Sequence, residues 1–459
     1  MSKGKKLTLI YAIMILYAGF SAASYGAGIV IPQKLTNIDG MAFYALVAAE
    51  GTLGMMLALP LVGKLCDLFG TKAVSMMGVF LQLVCRIGMI VTGSIVPFMI
   101  FQIISNIGLG MYVSAPFALL AEVTGADERP KYYGMLVTFK AIGSLLGPLI
   151  TGALVDNGFV DLAFAAYVPF IVLSVPFILV FCPNSKTSRT ANQKFDLAGI
   201  LLMVVGVSCI VFWLSLAGKL FEWVSPISIV LLVVGVVSVV ALIRVEIKHP
   251  NPSVAVGMFR KKRFTTAFLS NMLLSNFSTC MGAYVIVYMQ QVMQVSKTVS
   301  STGSMPMTIV QALFGAVLGG YVGKAFAKRF RPIALISLTC IAVGMLIVCF
   351  LTPTSPMILI YLASGIGGFG TIVPQSTFAN FFQTELSPEE YSGAQGMFSF
   401  GSTGGSCIFM AVTGAMLNGG GTYNMIFWLS LVLCVLALII GVVGLKLPQE
   451  SERASNTAS

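Results

Sequence analysis

Apolar residues run in blocks of about 18–25 along nearly the whole chain, separated by short polar or basic stretches. A helix rises about 1.5 Å per residue, so each block can cross a hydrocarbon core of about 30 Å. The blocks fall near 8–32, 42–62, 73–93, 96–120, 133–155, 162–182, 197–217, 225–243, 265–289, 300–322, 333–352, 356–380, 392–417 and 423–445. This pattern predicts an all-α polytopic membrane protein with 14 transmembrane helices. The first block is too long for the apolar core of a cleaved signal peptide. It continues through Gly26 and Gly28 to Pro32 without an A-x-A-like site, so it is expected to remain as a span.

The polar interruptions carry an orientation. If the N-terminus is cytoplasmic and the spans alternate, the inner segments hold 22 Lys/Arg and the outer loops hold only Lys34, Lys219 and Lys297. Cytoplasmic loops are enriched in basic residues, so both termini are expected in the cytoplasm and the protein in the cytoplasmic membrane. The same loops account for the net charge of +11 without a polyanionic partner. Charged residues make up 9% of the chain, hydrophobic residues 57%, and mean hydropathy is +0.94. A soluble domain needs roughly 25% charged residues, which excludes a soluble enzyme, a disordered regulator and a nucleic-acid-binding domain. The nine cysteines include no CxxC pair and lie almost all in apolar blocks, as free thiols packed between helices would. The single histidine, His249, stands in a basic loop as a solvated residue, and neither a metal nor a cofactor is expected.

An internal repeat organises the blocks. GKLCDLFGTK (63–72) follows block 2, and GKAFAKRFRP (323–332) follows block 10, 260 residues later. Gly134-Met135 aligns with Gly396-Met397, and Gly143 with Gly405, at an offset of 262. Two six-helix halves are therefore expected, 1–182 and 264–446, separated by a linker at 183–263 that carries inserted spans 7 and 8. A cytoplasmic tail follows at 447–459.

These motifs resemble the major facilitator superfamily over about 7–446, and within it the 14-span drug:proton antiporter branch. GKLCDLFGTK is similar to the superfamily's loop 2–3 signature, G-x-L-a-D-r-x-G-r-k, and marks Gly63, Asp67, Gly70 and Lys72 as a gating loop. GSLLGPLITG (143–152) resembles the antiporter motif G-x(3)-G-P-x(2)-G-G, with Thr151 replacing one glycine. FDLAGILL (195–202) and the Glu222–Pro226 stretch resemble the start of the inserted pair and its joining loop. The resemblance implies a major facilitator fold, with Asp67 latching the halves when the inner gate is closed. The residues favour the same reading. Ser387-Pro388-Glu389-Glu390 reads as a capping box whose positive helix end would attract Asp67, the other reading being a solvated turn. Gly143, Gly147 and Thr151 share one helical face, with Pro148 and Gly152 alongside. They form either a kinked hinge sealing the outer side or generic small-residue packing.

Three charged residues lie inside spans, where each is costly and normally functional: Glu50, Arg86 and Lys140. Glu50 lies about 12 Å and Arg86 about 10 Å below the outer face, so they are expected to pair, structurally or functionally. Lys140 has no acid at its depth. It is either a substrate or coupling residue or a snorkelling cation. The drug exporters this chain resembles typically carry an acid in span 1 and an arginine in span 4. Here span 1 has no acid, Ile104 stands at the arginine's place, and the polar residues nearby are Gln102, Ser105 and Asn106. Asn271, Tyr284, Tyr288, Gln311 and Gln375 are the polar candidates of the C-terminal half, to line a site or to join helices.

No nucleotide-binding P-loop is present, which points to an ion or substrate gradient as the energy source. Two cations and one acid inside the membrane favour an anion. The expected function is a monomeric, proton-linked secondary transporter of an amphipathic organic anion, and the alternative is a broad multidrug efflux proton antiporter. The expected partners are the small-molecule substrate, protons and the lipid bilayer, with no nucleic acid.

Overall fold

A computed structural model describes residues 3–123, 129–182, 196–218, 220–248, 256–323, 326–383, 385 and 391–445. The chain enters α1 (Lys3–Asn37), turns through a 3-10 segment (Met41–Phe43) into α2 (Tyr44–Phe69), and continues as α3 (Thr71–Val91), α4 (Ile95–Val123) and α5 (Arg129–Asp156). α6 (Val160–Phe164) and α7 (Val168–Phe181) follow end to end, and α8 (Leu197–Leu216) and α9 (Pro226–Lys248) form a hairpin. α10 (Lys262–Thr279) passes through a π-helical turn (Cys280–Tyr284) into α11 (Val285–Gln291). α12 (Lys297–Ser301) leads by a 3-10 turn into α13 (Met305–Gly323), and α14 (Phe326–Cys349), α15 (Met357–Gln383), α16 (Tyr391–Asn418) and α17 (Tyr423–Gly444) complete the chain.

Among the described residues, twelve helices are long and apolar enough to cross a membrane. α2 and α13, at the places expected for spans 2 and 10, are helical as well. The outward faces are apolar: α9 exposes Ile229, Val230, Val233 and Val237, the surface that lipid tails require. The protein is a multi-pass membrane protein.

Local chemistry sets the turns. Gly70 joins α2 to α3 at φ 84°, a conformation that a side chain disfavours, which is why the loop signature needs glycine there. Asp196 caps α8 by accepting a hydrogen bond from the Gly199 amide at 2.8 Å. Lys34, expected in an outer loop, instead lies buried in the last turn of α1, paired to Asp161 at 2.9 Å and donating to the Ile90 carbonyl at 2.8 Å. The helix simply runs on past the apolar block, because the Asp161 carboxylate and the Ile90 carbonyl make the cation tolerable there.

The packing repeats. α1 packs on α5 and α7, α2 on α4, and α3 on α4. In the second part of the chain α10 packs on α16 and α17, α13 on α15, and α14 on α15. The two sets meet where α2 lies on α16 and α13 lies on α5, and the α8–α9 hairpin leans on α2 and α16. A large core fills the second set, with Phe330 and Phe381 stacked at 4.8 Å. A smaller core surrounds α1, where Phe20 stacks on Tyr112 at 4.3 Å.

Candidate functional site

α2 is the element shared between the two sets. Its Gly51 and Gly54 lie against α4, where a Cβ on Gly51 would stand 3.0 Å from Gln102 Nε2 and 3.3 Å from Asn106 Nδ2. Its Thr52 hydroxyl donates to Met410 Sδ of α16 at 3.5 Å, and Met56 abuts Gly404 of α16. Glu50 occupies this same stretch, fully buried, and neither carboxyl oxygen has a hydrogen-bond partner among the described residues. Nearby, Asn106 Nδ2 donates to the Gln102 carbonyl at 2.9 Å while Gln102 Oε1 has no partner.

Glu50 and Arg86 do not pair, contrary to the expectation from depth. Arg86 is turned to the other side of α3. Its Nη2 donates to the Ala23 carbonyl of α1 at 3.4 Å, its guanidinium lies 5.6 Å from the Tyr167 ring centre, and Nε has no partner. Depth follows from residue count, but the direction a side chain takes around its helix depends on which neighbours surround that helix.

Lys140 is half-buried on the face of α5 that meets α1, and its electrostatic neighbours are the phenols of Tyr25 and Tyr17. Tyr25 is 39% exposed, so the lysine stands next to an accessible aromatic surface rather than in a sealed core. The backbone beneath is tied down: the Ser21 hydroxyl donates to the Lys140 carbonyl at 2.8 Å. Gly143 and Gly147 press against the α1 backbone, where a Cβ on Gly143 would lie 2.9 Å from Ala18 Cα and one on Gly147 would lie 2.6 Å from Ala22 Cα. Pro148 is buried within α5, and Thr151 folds its hydroxyl back onto the Gly147 carbonyl at 2.8 Å. The small-residue motif thus mostly joins α1 to α5. Of the motif's three glycines, Gly152 reaches across to the second set, 3.4 Å from Thr298 Cα by its would-be Cβ.

That crossing point is a seam that sequence reasoning missed. The Asp156 carboxylate, at the end of α5, accepts hydrogen bonds from the Thr298 amide at 3.1 Å and from the Thr298 hydroxyl of α12. Lys297 Nζ donates to Gln33 Oε1 of α1. Gly28 of α1 lies near the Gly282 carbonyl of the π-helical turn. No local signal marks these residues, because each partner lies far away along the chain.

In the gating loop, Lys72 donates to the Leu179 and Cys182 carbonyls at 2.8 and 3.0 Å, capping the end of α7. Gly63 lies on α2, and the side chain of Asp67 and the 387–390 segment proposed to receive it lie outside the described residues. Most C-terminal polar candidates serve their own set. Tyr284 donates to the Met410 carbonyl at 3.3 Å and accepts from Thr413, Tyr288 donates to the Leu351 carbonyl at 3.4 Å, Asn271 to the Phe398 carbonyl at 3.3 Å, and Gln311 to the Thr371 hydroxyl at 2.6 Å. The Gln375 side chain lies outside the described residues.

The sequence is 28% identical over 375 residues to "Multidrug resistance protein 3" of Bacillus subtilis (strain 168), covering 80% of this chain and 72% of that protein. It is 25% identical over 419 residues to "Multidrug transporter protein MdtP" of the same organism, covering 91% and 76%. Among solved structures, the POT family transporter PepTSo matches with a TM-score of 0.69 at 14% identity over 98% of this chain and 99% of that one. A peptide transporter POT in complex with sulfate matches at 0.70 and 14%, over 95% and 93%. At such identity the structural likeness speaks for the fold alone. The sequence also fits the description Major Facilitator Superfamily from residue 12 to residue 386, the stretch holding both the loop signature and its second copy, and on that ground the chain belongs to this superfamily of membrane transporters.

Proposed function

We propose that this protein is a secondary active transporter that moves an amphipathic organic anion across the cytoplasmic membrane by alternating access, coupled to protons. It would be a monomer with 14 spans and both termini in the cytoplasm. Its halves at 1–182 and 264–446 would rock about the α2–α16 and α5–α13 contacts, with the 183–263 linker and its hairpin alongside and the tail at 447–459 in the cytoplasm. The repeated packing and the loop charges support this arrangement.

The observation that carries the substrate class is Lys140: a half-buried cation beside Tyr17 and the accessible Tyr25, with no acid among the described residues acting on it. An anionic headgroup docked there would offset the cost of desolvating the ammonium, and the phenols would receive an apolar body. Glu50 supports proton coupling. It sits on the helix shared by the two halves, and a buried carboxyl without a partner is far cheaper protonated than ionised. The test is proton flux in proteoliposomes on addition of an anionic amphiphile such as 1-anilinonaphthalene-8-sulfonate or a cationic one such as ethidium. The anion is expected to drive flux, and flux with the cation alone would overturn the reading.

A second reading, a multidrug efflux proton antiporter of the 14-span branch, is favoured by the names of the relatives in Bacillus subtilis. Against it stands span 1, where the acid that would receive a cationic drug is missing. Under this reading Lys140→Gln leaves ethidium export intact.

A further inference from the structure

We propose that Arg86 and Gln82 form a binding site for a small inorganic anion of the halide class, inside the first helical set and apart from the substrate site at Lys140. Arg86 is 4% exposed and Gln82 is fully buried. They stand one turn apart on α3, so their side chains lie on one face. The guanidinium carries five donors. Its one described hydrogen bond is the 3.4 Å contact to the Ala23 carbonyl, and Nε has no partner. Neither Gln82 Nε2, a second donor, nor Gln82 Oε1, an acceptor, has a partner among the described residues.

The electrostatics point to an anion. Among the described residues, the titratable neighbour acting on Arg86 is Tyr167, and no carboxylate does. Glu50, the acid at matching depth, lies on α2 and does not reach it. Tyr167 also sits at the N-cap of α7, whose positive helix end adds to the same field. A buried cation with unfilled donors and no counter-ion is among the costliest arrangements in a protein interior. One small anion bridging Arg86 Nε and Gln82 Nε2 would satisfy both unfilled donors, leaving the Gln82 amide oxygen as the one atom it does not serve. A halide suits the site because guanidinium is weakly hydrated and pairs with weakly hydrated anions. Bound there, the ion would tie α3 to α1 through Arg86 and its Ala23 contact, and to α7 through Tyr167, whose hydroxyl donates to the Gln82 carbonyl at 3.2 Å. The site lies within one half, so it would hold that half rigid rather than travel with the substrate.

The test needs no substrate and stands whether or not the organic-anion reading does. The purified full chain is melted in detergent at constant pH and ionic strength, with sodium bromide replacing sodium gluconate stepwise. The melting temperature is expected to rise by a few degrees and saturate with bromide. Arg86→Met is expected to abolish the rise, and Gln82→Met, which keeps the charge and serves if Arg86→Met does not fold, to shift it to higher bromide. Lys140→Gln is expected to keep it. No bromide-specific rise in the wild type overturns the site, as does an equal rise in Arg86→Met or in Gln82→Met, or a rise lost only in Lys140→Gln.

Discussion

Lys140 and Glu50 differ in what surrounds them, and their substitutions should differ accordingly. Lys140 stands beside an accessible tyrosine, so Lys140→Gln is expected to lower anion transport by tenfold or more while Lys140→Arg keeps part of it; each 1.4 kcal/mol of lost headgroup attraction is a factor of about ten. Paired uptake assays with one anionic and one cationic amphiphile read this directly. Glu50 and Arg86 were expected to compensate one another. Because they share no contact, the thermal destabilisation of Glu50→Gln/Arg86→Gln should equal the two single effects added, within about 0.5 kcal/mol. A double variant more stable than that sum would restore the pair. The three charges inside the apolar blocks were readable in the chain, but their partners were not.

At the scale of elements, the α1–α5 contact is the tightest built from small residues. Gly147→Val places methyl groups into the Ala22 backbone, which cannot yield as a flexible side chain could. A loss of at least about 1–3 kcal/mol is expected, seen as a lower melting temperature in detergent and lower folded yield. Gly70→Ala acts through backbone conformation instead. At φ 84° and ψ 148°, a region essentially reserved for glycine, the cost should be about 1–3 kcal/mol with the helices otherwise intact, which separates a turn requirement from a packing one when both variants are melted side by side. The glycine spacing in GSLLGPLITG announced a close helix contact. That Gly143 and Gly147 meet α1 while Gly152 lies against α12 depended on how the helices are set against one another.

Across the whole molecule, the Asp156–Thr298 and Lys297–Gln33 contacts tie the two halves at one end. Alternating access requires that this end open. Gly152→Cys/Thr298→Cys, introduced together where the backbones approach closely, should cross-link under mild oxidation and arrest transport, with dithiothreitol restoring it. Transport unaffected by a complete cross-link would mean that these ends never part. Asp156→Ala, which removes the acceptor from the Thr298 amide and hydroxyl, should favour the conformation open at this end, read as faster labelling of a cysteine placed at Gly28 by a membrane-impermeant thiol reagent.

Helix existence and approximate ends were legible because the bilayer imposes a one-dimensional rule of about 20 apolar residues per crossing, and twelve of the fourteen expected spans are helices long and apolar enough to cross among the described residues. The superfamily was legible for a related reason, since a tight loop between spans 2 and 3 demands glycine at fixed places such as Gly70, and those places repeat. What remained hidden was azimuth and distant pairing. Whether Glu50 meets Arg86, whether Lys34 is a loop residue or the buried partner of Asp161, and whether Asp156 closes onto Thr298 all depend on how helices far apart in the chain are rotated and set against one another. Periodicity assigns a side chain to a face of its own helix. Which neighbour covers that face is settled by close packing among many helices at once, and no stretch of this chain encodes it locally.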